Sequence, residues 1–251
     1  MELIIPDWPA PVGVKAFSTL RTGGFSLPPY GDADGGLGLN LGIHVGDDPE
    51  AVGKNRALLR AVLPSEPVWL NQVHGADVVD AATVSDVPDA DASWTTAIGK
   101  VCVIMTADCL PVLLCTEDGK AVGAAHGGWR GLAAGVLQHT VKAMRTGSDA
   151  PVMAWLGPAI GPTVFEVGGE VQEIFVSQNP DMSRVFKPEA GFPGKFIADI
   201  YGIARIILNS LGVASVYGGD RCTVTETGCC YSFRRDQGRT GRMATGIWLS
   251  A

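Results

Sequence analysis

Three apolar runs follow one another at residues 101–105, 112–115 and 121–125, and the last two flank the tetrapeptide Glu117-Asp118-Gly119-Lys120. Runs of four or five apolar residues are too short for a buried helix, and an Asp-Gly step between two of them signals a hairpin. The chain must therefore build a sheet that is antiparallel at least here, which disfavours a purely parallel, doubly wound architecture. The runs carry no polar alternation, so both faces of these strands are expected to be covered. Further runs bounded by Gly, Pro or Asp occur at 68–70, 78–80, 152–156, 213–217 and 246–249.

The helices are marked by their ends. Asp47 or Asp48 can cap a helix with Pro49 in its first turn, Val52, Leu59 and Leu63 on its apolar side, and Pro64 as a stop. A second helix is expected over 132–145, with Leu132, Val136, Leu137, Val141 and Met144 on one stripe and Lys142 and Arg145 in its last turn. A third starts after Asp199, carries Ile200, Ile203, Ile207 and Leu211, and ends at Gly212; a shorter one covers 170–177. No repeat is visible, and the 33 glycines and 16 prolines are scattered instead of forming a linker, so residues 1–251 read as a single domain.

Composition removes several classes of function. Lys and Arg number 19 against 26 Asp and Glu, a net charge of −7, with no basic block to follow a nucleic-acid backbone. No run approaches the ~18 apolar residues of a membrane span. The start, MELIIPDWPAPVG, lacks a basic leader, so a cytoplasmic location is expected. The cysteines at 102, 109, 115, 222, 229 and 230 are dispersed with no CxxC pair, and most read as buried thiols in a reducing compartment, the adjacent Cys229 and Cys230 included.

Chemistry gathers around two of the four histidines. His74 in NQVHGADVV and His126 in AAHGGWRG each end an apolar run and precede a glycine, and Cys109 in TADCLPVLL follows the run 101–105 before a Leu-Pro step. A two-residue turn at Asp118-Gly119 would set His126 opposite Pro111, with Cys109 its diagonal neighbour on the same face, Cα atoms ~7–8 Å apart. Two imidazoles and a thiolate suit Zn²⁺ best and copper next, and three protein ligands leave a fourth position for water or substrate. The competing reading is three unrelated polar residues near strand ends.

Other residues have double readings. The N–H groups from Gly128 to Leu132, with Arg130, can converge on an anion such as phosphate; equally, the glycines can serve a tight turn while Arg130 pairs with a carboxylate. Asp108 can orient a ligand or act as a general base, or simply bond loop N–H groups. His44 in NLGIHVGDDP either faces the site or packs near the capped helix, and His139 reads as a surface residue. Arg234, Arg235, Arg239 and Arg242 form a basic cluster that either attracts an anionic group or is solvated loop charge.

The motifs NQVHGADVV, TADCLPVLL, AAHGGWRGLAAG and AWLGPAIGP, followed by YSFRRD and GRMA and preceded by FSTLRTGG and LNLGIHVGDDP, resemble those of the YfiH/laccase-domain family over nearly the whole chain. This family is also called multicopper polyphenol oxidase or peptidoglycan editing factor. The resemblance implies an α+β fold, a single-domain four-layer α/β/β/α mixed sandwich, and a metal held by His74, Cys109 and His126. HGGWRG, where the family more often has HAGWRG, and CCYSFRRD, in place of a more aromatic run, depart from the pattern without touching a ligand.

The activities implied are purine nucleoside phosphorolysis with adenosine deamination, laccase-like oxidation of phenols, and editing of a peptidoglycan precursor. Four histidines cannot furnish several copper centres. One open-coordinate ion suits deamination, and an anion site beside it suits phosphorolysis. The expectation is a metal-dependent purine nucleoside phosphorylase acting on adenosine, inosine, guanosine and methylthioadenosine, with adenosine deaminase activity. Cys109, His126, His74 and Asp108 would be catalytic, and Arg130, Gly128 and His44 would bind substrate, the partners being a nucleoside and phosphate. The alternatives are precursor editing with Cys109 as a histidine-activated nucleophile, copper-dependent polyphenol oxidation, and a zinc-stabilised binding protein whose fourth ligand is Cys115 or Cys102.

Overall fold

Alternation along the strands sorts their side chains onto separate cores. In the computed structural model, which describes residues 1–251, Cys102, Ile104, Leu113, Cys115, Val122 and Ala124 meet in one core. Their strand neighbours Val101, Val103 and Met105 join Leu59 in a second, and Val112, Leu114 and Ala125 join Leu137, Val141 and Ile203 in a third. The first core lies between two sheets, and the other two lie between a sheet and its helices. Each fully buried Leu or Val on these faces contributes about 1.5–3 kcal/mol, which makes the layering the main source of stability.

The first sheet runs in spatial order Leu3–Ile4, Val14–Thr19, Met243–Leu249, Val101–Thr106 and Pro67–Val68; the second runs Ser215–Gly218, Val152–Leu156, Leu110–Thr116, Val122–Gly127, Ala92–Thr95 and Val78–Asp80. Parallel pairing is confined to Pro67–Val68, Val78–Asp80 and Ser215–Gly218, each at an edge. Helix α1 (Pro49–Arg60) covers the first sheet; α2 (Trp129–Ala134), α3 (Val136–Met144), α4 (Gly169–Gln178) and α5 (Ile200–Ser210) lie on the side of the second. The fold is the α/β/β/α sandwich. A small sheet of Glu166–Gly168, Lys195–Ala198 and Phe186–Pro188 is appended beside α4. No helix is long and apolar enough to cross a membrane.

Several expectations are refined. Asp48 caps α1 by accepting from the Glu50 N–H at 3.1 Å, and Asp199 caps α5 through the Gly202 N–H at 2.9 Å. The hairpin loop has four residues, 117–120, yet Pro111 still faces His126, because Thr116 and Ala121 remain paired, N–H to O at 3.0 Å. The single helix expected over 132–145 is instead two. Gly135, at φ 96, closes α2 in a left-handed conformation and lets α3 set off in a new direction.

Candidate metal centre

Along Val122–Gly127, Val122 and Ala124 point into the seam between the sheets, and His126, two residues on, shares their face at the end of the seam. Cys109 sits just before Leu110 on the adjacent strand. His74 arrives from the loop that joins Pro67–Val68 to Val78–Asp80. The three ligand atoms lie within 4.8 Å of one another. Cys109 Sγ is 3.8 Å from His74 Nε2, and the two imidazoles meet edge to face with centroids 4.8 Å apart.

One carboxylate organises both histidines. Buried Asp91 accepts from His126 Nδ1 at 2.7 Å and from the N–H groups of Val73, His74 and Gly75 at 3.2, 3.0 and 2.6 Å. The bond to Nδ1 leaves His126 Nε2 for the cluster. The N–H bonds hold the turn at His74, whose φ of 60 is unusual for a residue other than glycine. Burial pushes the Asp91 carboxyl up, but these bonds outweigh it and hold the group below its ordinary range. Sequence reading passed over Asp91: in VPDADAS it looks like any loop aspartate.

Burial also pushes the Cys109 thiol up, but His126 and His74 prevail and bring it down to about 6. His126, which burial alone would lower, is raised to about 9 by Cys109 and Asp91. Each group thus favours the charged form of the other, a thiol lowered beside an imidazole raised. The donor set fits a metal: two imidazoles and one thiolate on one point, with the second nitrogen of His126 anchored to a carboxylate. Gly128 completes the fit, since a Cβ there would lie 2.9 Å from His74 Cδ2 and 3.2 Å from Cys109 Sγ. Its φ of −63 and ψ of 151 suit any residue, so crowding by the cluster explains the glycine.

Asp108 is placed otherwise than as a general base. It has φ 88 and lines the same cavity as the cluster, but its carboxylate accepts from Thr223 Oγ1 at 2.6 Å, Ser232 Oγ at 3.1 Å and the Arg234 N–H at 2.6 Å. Both oxygens are engaged, so Asp108 fastens the C-terminal segment to the turn that presents Cys109. Arg130 pairs with no carboxylate; it lies exposed on the cavity wall with its guanidinium 4.5 Å from the Trp129 ring centroid. Gly131 packs on the loop of His74, since a Cβ there would lie 2.9 Å from the Gly75 carbonyl.

His44 faces the same cavity, whereas His139 lies exposed on α3 with Nδ1 2.9 Å from the Ala76 carbonyl. The arginine cluster is not simply solvated. Arg235 is spent on the Thr223 and Cys230 carbonyls and on Asp236, and Arg242 is largely withdrawn into the cavity wall. Cys102 and Cys115 belong to the core between the sheets, where burial pushes both up to about 12, and neither lines the cavity. Neither can close a fourth position. Cys229 and Cys230 are separate thiols.

The cluster forms part of the wall of a cavity of about 660 Å³. Trp129, Ile160, Phe165, Val171 and Ile200 supply an apolar side, while Asn71, Gln72, His44, Arg234 and Arg242 supply polar groups. Such a volume suits a small molecule with one flat apolar part and one polar part.

A two-histidine, one-cysteine cluster at the end of an α/β/β/α sandwich defines a class of protein. Residues 15–250 match the family model described as Multi-copper polyphenol oxidoreductase laccase, and the chain belongs to this family. It is 51% identical to the purine nucleoside phosphorylase YfiH of Escherichia coli, each chain covered over 99% of its length. It is also 51% identical to the purine nucleoside phosphorylase PA4543 of Pseudomonas aeruginosa, with 98% of each covered. Among solved structures, Neisseria meningitidis protein NMB0706 superposes with a TM-score of 0.91 at 47% identity, covering 100% of both chains.

Proposed function

We propose that the protein is a metal-dependent purine nucleoside phosphorylase that takes inosine, adenosine, guanosine and methylthioadenosine, with adenosine deamination as an accompanying activity. The observation that carries this reading is the convergence of His74, Cys109 and His126 on a cavity lined by both apolar and charged side chains. The printed names of the E. coli and P. aeruginosa relatives support it.

His74, Cys109 and His126 would hold the ion, zinc by the balance of two imidazoles and one thiolate, with copper second. When bound, a divalent cation supplies Lewis acidity at this wall of the cavity. Asp91 keeps His126 in the tautomer that presents Nε2, and Gly128 keeps the space around the ligands free of a side chain. The purine lies against Trp129, Ile160, Phe165, Val171 and Ile200, which exclude water from one face of the nucleoside. Phosphate attacks C1′ where arginine donors of the wall hold the nucleophile as positive charge gathers on the sugar.

A nucleophilic Cys109 fits less well, because two imidazoles converge on the sulfur and the Asp91 carboxylate orients a ligand nitrogen. Multicopper oxidation fits less well again, since only two histidines reach the cluster. Six unpaired thiols accord with the cytoplasm as the working compartment.

The test is an assay of zinc-loaded protein on inosine with and without phosphate. Hypoxanthine and ribose 1-phosphate should appear only when phosphate is present, and Cys109→Ala should abolish turnover while unfolding remains cooperative. Absence of phosphate-dependent turnover in the wild type, or full activity in Cys109→Ser, contradicts the proposal.

A further inference from the structure

The Arg242 guanidinium has hydrogen-bond donors left to give. Arg21 spends its donors on the Gly31 and Thr227 carbonyls, and Arg235 is bound by two carbonyls and Asp236. Arg242 donates only from Nη1, to the Thr240 and Gly241 carbonyls at 3.0 and 3.1 Å. Its Nε and Nη2 have no protein acceptor, and no carboxylate forms an ion pair with it. The negative groups that act on it, Cys109 and Asp108, accept no hydrogen bond from it, so those two nitrogens keep donors to spare. Arg242 lines the same cavity as Cys109 and His74, with Phe233 beneath it at 5.7 Å.

His44 is locked to the same corner. Asn40 Oδ1 accepts from the N–H groups of both Gly42 and Arg242 at 2.9 Å, and the Leu41 N–H donates to the Arg242 carbonyl at 3.1 Å. Gly42 lies so close on the arginine stem that a Cβ there would be 2.8 Å from Arg242 Cγ. The loop carrying His44 is thus tied to the backbone and stem of Arg242. Burial, with Arg242 and Arg56 nearby, holds the His44 imidazole below its ordinary pKa, so it brings a neutral donor to a fixed cation.

We infer that Arg242 and His44 form an oxyanion subsite that holds inorganic phosphate in the cavity that the metal centre also lines. The inference rests on the phosphorolytic reading. In the step it serves, a phosphate oxygen forms a bond to C1′ as the C1′–N9 bond breaks with its electron pair going to the purine. The proton lost by hydrogen phosphate equals the one gained by the base, leaving ribose 1-phosphate and the free purine. Arg242 gives the anion two charge-assisted donors, and His44 fixes its orientation.

The experiment varies phosphate and inosine independently on zinc-loaded wild type, Arg242→Gln, Arg242→Lys and His44→Gln. The KM for phosphate should rise about ten- to hundredfold in Arg242→Gln and severalfold in His44→Gln. Arg242→Lys should fall between wild type and Arg242→Gln, while the KM for inosine and the zinc content hold within about twofold. An unchanged phosphate KM, or both KM values rising together, overturns the subsite. A ³¹P NMR titration with inorganic phosphate reads the subsite apart from catalysis, so it still decides if wild type shows no phosphorolysis. Line broadening lost in Arg242→Gln sustains the subsite; broadening that persists in the variant, or is absent from wild type, overturns it. Inosine 5′-monophosphate covers the other source of the same chemistry: Arg242-dependent binding of the nucleotide without binding of free phosphate overturns the assignment.

Discussion

Asp91 Oδ1 lies 2.7 Å from His126 Nδ1, and the same oxygen accepts the His74 N–H at 3.0 Å. One carboxylate therefore sets the ring of one candidate ligand and the backbone of another. This pair explains how residues 74 and 126, from a loop and a strand far apart in sequence, reach one point.

Asp91→Asn keeps the volume but removes the charge from a buried acceptor of four bonds. Metal affinity should fall about 10–100-fold, the usual effect of losing a group that orients a ligand. Stability should fall by about 1–3 kcal/mol. Competition with a chelator and urea unfolding measure the two; unchanged affinity would show that Asp91 supports the fold alone.

Gly128→Ala is the converse test. The backbone accepts alanine, but the new methyl would press on His74 and Cys109. Zinc content should drop sharply with little change in the denaturant midpoint. Retained zinc would mean that the ligands have room to retreat.

Asp108→Ala should lower stability by about 3 kcal/mol, since it strands donors from Thr223, Ser232 and Arg234. Asp108→Asn should leave the acid limb of the pH–rate profile in place. Loss of that limb without loss of stability would restore the general base that the geometry argues against.

Cys102→Ala and Cys115→Ala should keep one zinc per chain, because both thiols lie in the core between the sheets. Each should cost about 1 kcal/mol through the small cavity left behind. Loss of zinc in either would favour a closed, structural site.

The legible parts of the fold were those written in local chemistry. Asp48 and Asp199 are caps, and the Asp118-Gly119 step gave a register that survived a longer loop, because adding one residue to each side keeps the opposing residues opposed. Gly135 went unread because its apolar neighbours keep a helical period through the break. Val14–Thr19, second of the five strands in its sheet, went unread because Lys15 interrupts its apolar pattern from the exposed face.

At the site, His74, Cys109 and His126 stood out as rare residues beside glycines. Asp91 did not, since a carboxylate satisfied by backbone N–H groups differs from an ordinary loop charge only in three dimensions, and Arg242 was visible only as one of four clustered arginines with two readings. Asp108 misled for the same reason: its neighbour in sequence is Cys109, but its partners lie more than a hundred residues away.

The most direct test of a single cation held by two imidazoles and one thiolate is cobalt substitution, read by absorption spectroscopy with metal analysis. One cobalt per chain should bind with a thiolate-to-metal charge-transfer band, and the band should vanish in Cys109→Ala while His74→Ala and His126→Ala weaken binding. A wild type that binds no stoichiometric cobalt, or a band that persists without Cys109, would contradict the account.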